Sequence, residues 1–224
     1  MTLKTSVLLG RIITFHNEVH PCLDRARQDL RFQELENGLT RLCLVAPPVT
    51  HFSTEVPSPY LHVSIWLQFL LHTCTILLYH PVADTGTLEV PATFPHRSEQ
   101  SLGFSRCVNA TQCVLRTIKM IASVSVQPLT SPFLMPTYFL CSRFLAIGWL
   151  ETGNQALRND IDLILLILDR VGETHAGLAN KYRTSILADL ARTPAEAREM
   201  RVGTGSYLGN GCYNSKDETR RLCN

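Results

Sequence analysis

The sequence predicts an all-α fold: a single irregular helical domain of about seven helices with a flexible C-terminal tail. Three observations predict it. Apolar residues recur at three- and four-residue steps along most of the chain. No stretch before about residue 200 shows convincing strand patterning, and no alternation of strands with helices points to a nucleotide-binding fold. Prolines gather between the periodic stretches, where they end one helix and open the next.

Each element follows from its own residues. The first helix is expected from Leu3 to about His20, with Val7, Leu8, Ile12, Phe15 and Val19 at helical steps and Pro21 as its stop. The second, from about Asp29 to Leu44, carries Leu30, Leu35, Leu39 and Leu42 inward, and Pro47-Pro48 ends it. A third runs from Tyr60 to Tyr79, framed by Pro57 and Pro59 before and Pro81 after. The connection beyond it, through Gly86, Pro91 and Pro95, lacks periodicity. The fourth helix is expected from about Ser101 to Ser123, with Cys107, Ala110, Val114, Ile118 and Ile121 on one side. Ser131-Pro132 reads as the start of a fifth, Ser as N-cap and Pro in first place, ending at about Leu150 before Thr152-Gly153, with Pro136 placed to kink it. In the sixth, "DIDLILLILDRVG", Asn159 and Asp162 form a weak capping box, and Gly172 suits a left-handed C-terminal position. The seventh starts near Thr174 and carries Ala179, Tyr182, Ile186 and Leu190; Pro194 opens a short polar segment. Residues 1–200 read as one helical domain, and the Gly-, Asn- and Ser-rich residues 201–224 as a disordered tail.

Composition narrows the function classes. The chain has 224 residues, within the reach of one core, and its net charge of +2 gives no basic footprint for a phosphate backbone. No Asp, Glu, Lys or Arg occurs between Glu55 and Asp84. Tyr60–Tyr79 is long enough to span a bilayer, but His62, Gln68 and His72 within it and the lack of a flanking basic cluster favour a buried helix. The eight cysteines, Cys22, Cys43, Cys74, Cys107, Cys113, Cys141, Cys212 and Cys223, show no paired spacing and read as reduced, buried thiols.

Several residues invite a catalytic or metal reading. His16 and His20 in "HNEVH" stand one turn apart, yet the position after His16 is Asn17 where a zinc protease needs Glu, and Glu18 is rotated about 100° from it. Cys107 and Cys113 lie six apart within one helix, unlike the close pairs of structural zinc. His72 and Cys74 are two apart and point different ways. His80 precedes Pro81 at a helix end, where an imidazole favours the exposed carbonyls. No catalytic, cofactor-binding or metal-ligating residue is therefore assigned, and no enzyme is expected.

Four tracts fall into a familiar order. "LHVSIWLQFLLHTCTILLYHP" resembles the aromatic-rich helix of fungal zinc-cluster transcription factors that ends in an "ILLHRP"-like sequence; here Tyr79-His80-Pro81 stands where His-Arg-Pro is common. "SRCVNATQCVLRTIKMIA" is similar to the next helix, with Cys107 and Ala110 fitting and Thr111 departing. "SPFLMPTYFLCSRFLAIGWL" and "LILLILDRVGETHAGLANKY" resemble the helices that follow, and "LLGRIITFHNEVH" through "FQELENGLTRL" the segment leading in. The resemblance covers roughly Leu3 to Leu190 and is to the regulatory middle-homology domain.

What the resemblance implies is a transcription regulator in the nucleus. It would act through dimer contacts or a small-molecule effector, with a second copy or a full-length zinc-cluster factor as partner and no membrane. The family's N-terminal six-cysteine zinc cluster has no match here, so zinc is expected only in that missing cluster and DNA is reached only through a module absent from the chain. The chain then looks like a truncated product or a partial gene model. Trp66, His62, Phe69 and Phe144 could line an effector pocket, though ordinary core packing outweighs that role for each. A helical enzyme with an unrecognised His/Asp site, or a decoy subunit that silences a full-length factor, are the alternatives.

Overall fold

A computed structural model describes residues 1–19, 30–46, 61–80, 97–193 and 195. Among them the chain is all-α, and no strand occurs. The helices are α1 (Thr2–Val19), α2 (Leu30–Val45), α3 (Leu61–Tyr79), α4 (Arg97–Ala122), α5 (Met135–Thr152) and α6 (Gln155–Leu190). Two 3₁₀ turns, Gln127–Leu129 and Pro132–Leu134, join α4 to α5. The expected tail, 201–224, and the polar segment beyond Pro194 lie outside the described residues.

The uncharged stretch becomes the hub. α3 packs against α1, α2, α4 and α5. Its buried residues, among them Ile65, Phe69, Cys74, Ile76 and Leu78, point in nearly every direction, as a helix that is apolar all round requires. Its few buried polar groups are satisfied locally: the Thr73 hydroxyl bonds the Phe69 carbonyl at 2.9 Å and the Thr137 hydroxyl of α5 at 2.6 Å. By length and apolarity, His62–Tyr79 and Pro132–Thr152 could each cross a membrane; 50% and 56% of them are buried inside the protein. One continuous core draws on all six helices, from Ile12 of α1 to Ile186 of α6.

The boundary between α5 and α6 follows the sequence closely. Gly153 adopts φ 66°, the left-handed geometry that ends α5, and its N–H bonds the Trp149 carbonyl at 2.7 Å. Asn154, not the expected Asn159 with Asp162, caps α6: its side chain accepts from the Ala156 N–H at 3.0 Å. Asn159 instead accepts from the Gln155 amide, and Asp162 pairs with Arg158, one turn before it. Pro136 produces no kink, because it falls in the first turn of α5, where its missing N–H has no helical partner to lose. Ser131 does precede a 3₁₀ turn, but its side chain makes no capping bond.

The sixth and seventh expected helices are the two arms of α6. The helix breaks at His175, whose φ −132° and ψ 49° are not helical. The break is a sharp return. Asp169 and Arg183, 14 residues apart, would be about 21 Å apart along a straight helix, yet their charges meet at 3.0 Å. A Cβ on Gly172 would lie 3.6 Å from that of Ala179. Gly172 is not left-handed, contrary to expectation; among the described residues Gly153 is the one glycine with positive φ. The return lays the second arm on α5, where Tyr182 stacks against Phe139 with ring centroids 5.6 Å apart.

Candidate functional site

The residues singled out in the sequence are dispersed rather than gathered. Phe69 is fully buried with its ring edge-on to Tyr138, centroids 6.1 Å apart. Phe144 is buried between Phe104 and His80, at 5.9 and 5.2 Å. Trp66 packs half-buried against the core, and His62 is exposed. His16 reaches across to α3, where its Nε2 meets the Leu77 carbonyl. Its expected companion, His20, lies outside the described residues. Glu18 is engaged with Arg31 at 2.7 Å.

Three of the described thiols are core groups, and the expected burial does not extend to Cys43. Cys74, Cys107 and Cys141 are buried and free, Cys113 is half-buried and Cys43 exposed. Burial, with a smaller contribution from Cys43, pushes the Cys74 thiol up to about 12, and burial raises Cys107 as well. Such thiols hold almost no thiolate at neutral pH. The Cys107 thiol donates a long 3.7 Å contact to the Ile76 carbonyl. Among the described residues no group of three or more His, Cys, Asp or Glu is placed to hold a metal ion.

Two polar clusters that sequence reading missed tie the helices together. At the end of α3 the Tyr79 hydroxyl donates to Glu36 of α2 at 2.5 Å. Arg106 of α4 pairs with the same carboxylate at 2.6 Å and lies over the Tyr79 ring, 4.5 Å from its centroid. The second cluster joins α5 to the returning arm of α6. Asp189, 94% removed from solvent as a side chain, receives Arg192 on Oδ1 at 3.3 Å. Arg143 Nε stands 3.0 Å from Oδ2, off the line of a hydrogen bond, as a charge contact. Burial raises the Asp189 carboxyl above its ordinary range, and the two arginines pull it back in part. His80 shares this neighbourhood: burial, then Arg143, then His16 depress it to about 3. His80 is thus neutral at physiological pH and rests on Phe144, so it does not serve the helix end as a cation. Apart from the local pair of Asp189 with Arg192, three residues on, no sequence pattern could signal these contacts, because they join different helices.

A groove of about 390 Å³ between α1 and α2 is lined by Val7, Gly10, Arg11, Thr14, Phe15, Glu18, Arg31 and Leu35. That volume is within the range of ligand and side-chain pockets. The four residues suggested for an effector pocket are not among its walls. No family model, no curated protein and no solved structure matches this chain significantly.

Proposed function

We propose that this chain is a transcription-regulator domain of the kind found behind fungal zinc clusters, acting in the nucleus by helix packing and partner contacts rather than by catalysis. The observation that carries the reading is the order of the resembling tracts. "LHVSIWLQFLLHTCTILLYHP" contains α3, "SRCVNATQCVLRTIKMIA" falls in α4, "SPFLMPTYFLCSRFLAIGWL" covers most of α5, and "LILLILDRVGETHAGLANKY" spans the bend of α6. Each of these tracts therefore coincides with helical structure. On this reading DNA is reached through a partner or a zinc-cluster module, and zinc belongs to that module. Fusing the chain to a foreign DNA-binding module upstream of a reporter tests it. A change in transcription, in either direction, is the expected result; an unchanged reporter under every growth condition would overturn it.

A further inference from the structure

We propose that Cys43 and Cys74 form an oxidative staple, a disulfide that peroxide draws between α2 and the hub helix α3. It holds whether or not the chain regulates transcription, since it rests on where two thiols lie.

The packing of α2 on α3 brings the pair together. Phe32, at the start of α2, meets the Tyr79 ring edge-on with centroids 5.9 Å apart. Glu36, one turn on, takes the Tyr79 hydroxyl at 2.5 Å. Because α3 ends at Tyr79, the rest of α2 runs back along earlier turns of α3. Cys43 follows Glu36 by two turns and so returns to the face that Glu36 presents to α3. At the helical rise it lies about 10 Å beyond the Glu36 contact, and Cys74 about 7.5 Å back from Tyr79. The two residues are therefore nearly level along the paired helices. Their sulfurs also feel each other: burial raises the Cys74 thiol most, and the nearby Cys43 adds to the rise.

The pair is asymmetric in access. Cys43 is exposed and admits an oxidant, whereas Cys74 is buried and meets only what Cys43 hands on. Cys107 and Cys141 are buried as well and offer no such entrance. The Cys43 thiolate sulfur bonds one oxygen of hydrogen peroxide, the O–O bond breaks and hydroxide leaves, giving a sulfenic acid. The Cys74 sulfur, as thiolate, then attacks that sulfur; the S–O bond breaks and a second hydroxide leaves. With the two thiol protons taken up, two thiols and one peroxide yield one disulfide and two waters. Burial holds both thiols protonated, so the staple closes slowly at neutral pH. Each unit of pH should quicken a thiolate-limited closure about tenfold. Closing the chain between residues 43 and 74 restricts the unfolded state, so the staple stabilises the fold.

Peroxide treatment of the full chain, blocking with iodoacetamide and peptide mapping by mass spectrometry test the proposal. Chymotrypsin is the protease, because no Lys or Arg between Arg41 and Arg97 lets trypsin part the two cysteines. A linked peptide joining Cys43 to Cys74 is expected, formed about tenfold faster at pH 8 than at pH 7. Cys43→Ser, an exposed change that keeps native far-UV circular dichroism, should lose it. Oxidation should raise the urea midpoint of the wild type, and dithiothreitol should return it. The proposal is overturned if Cys43 stays a free thiol, stops at sulfinic acid, or joins another cysteine or a second molecule. A staple that forms only in urea, or that leaves the midpoint unchanged or lower, overturns it equally.

Discussion

Replacing Arg143 with Met isolates the contribution of the charge cluster between α5 and the returning arm of α6. The arginine side chain is only 12% exposed and its partner Asp189 only 6%, so the substitution strands a carboxylate away from water. Breaking a buried pair costs about 3–5 kcal/mol. Arg192 remains on the other oxygen at 3.3 Å, but it is 42% exposed and its attraction is screened. The expected loss is therefore about 2–4 kcal/mol, a large share of the roughly 5–15 kcal/mol that holds a domain together. The sign with pH follows from Asp189. Its carboxyl already titrates above the unfolded value, and removing Arg143 raises it further. A raised acid binds its proton more tightly in the native state, so the deficit should grow from pH 4 to pH 7 and shrink on acidification. Urea denaturation followed by circular dichroism at both pH values reads this. The double variant Arg143→Met with Asp189→Leu removes both charges and should recover much of the loss. A deficit below about 1 kcal/mol, or one independent of pH, would refute the burial argument.

Other outcomes follow from single groups. His80, neutral in the fold and titrating at about 3, should cost stability as pH falls below about 6.5, where the unfolded chain takes up a proton that the folded one refuses. Replacing His80 with Phe should flatten that acid slope in pH-dependent melting; an unchanged slope counts against it. His72, lowered to about 4 by burial, adds to the same slope, so the flattening should be partial. With a thiol reagent and peptide mapping, Cys43 should label in the folded protein, while Cys74, Cys107 and Cys141 label only on unfolding. Substituting Ala for Gly153 should lower the urea midpoint by about 1 kcal/mol equivalent, because φ 66° is strained for any residue with a Cβ.

The helices were legible because their apolar spacing is local. The first five agree with expectation to within a few residues, since proline and glycine punctuation acts on the very residues it ends. Where two capping signals competed, the sequence misled: Asn154 and Asn159 are both good caps, and the turn set by Gly153 decides for the first. The bend at His175 was anticipated in place but not in cause, for Gly172 does not take the left-handed geometry. The polar clusters were illegible in principle. Glu36 meets Arg106 across 70 residues, and no periodicity encodes which faces come together. The same holds for the groove, whose walls belong to two helices whose relative placement is a tertiary matter.

The return of α6 at His175 also bears on the order in which the chain acquires its structure. α5 and the two arms of α6 are joined by short connections, the Gly153 turn and the break at His175, and Asp169 meets Arg183 across only 14 residues. Short spans cost little closure entropy and form early. By contrast, α1 is fastened to α3 across the 61 residues between His16 and Leu77. Low contact order thus assigns nucleation to the carboxy-terminal half, and in amide exchange the α5–α6 protons should outlast those of α1.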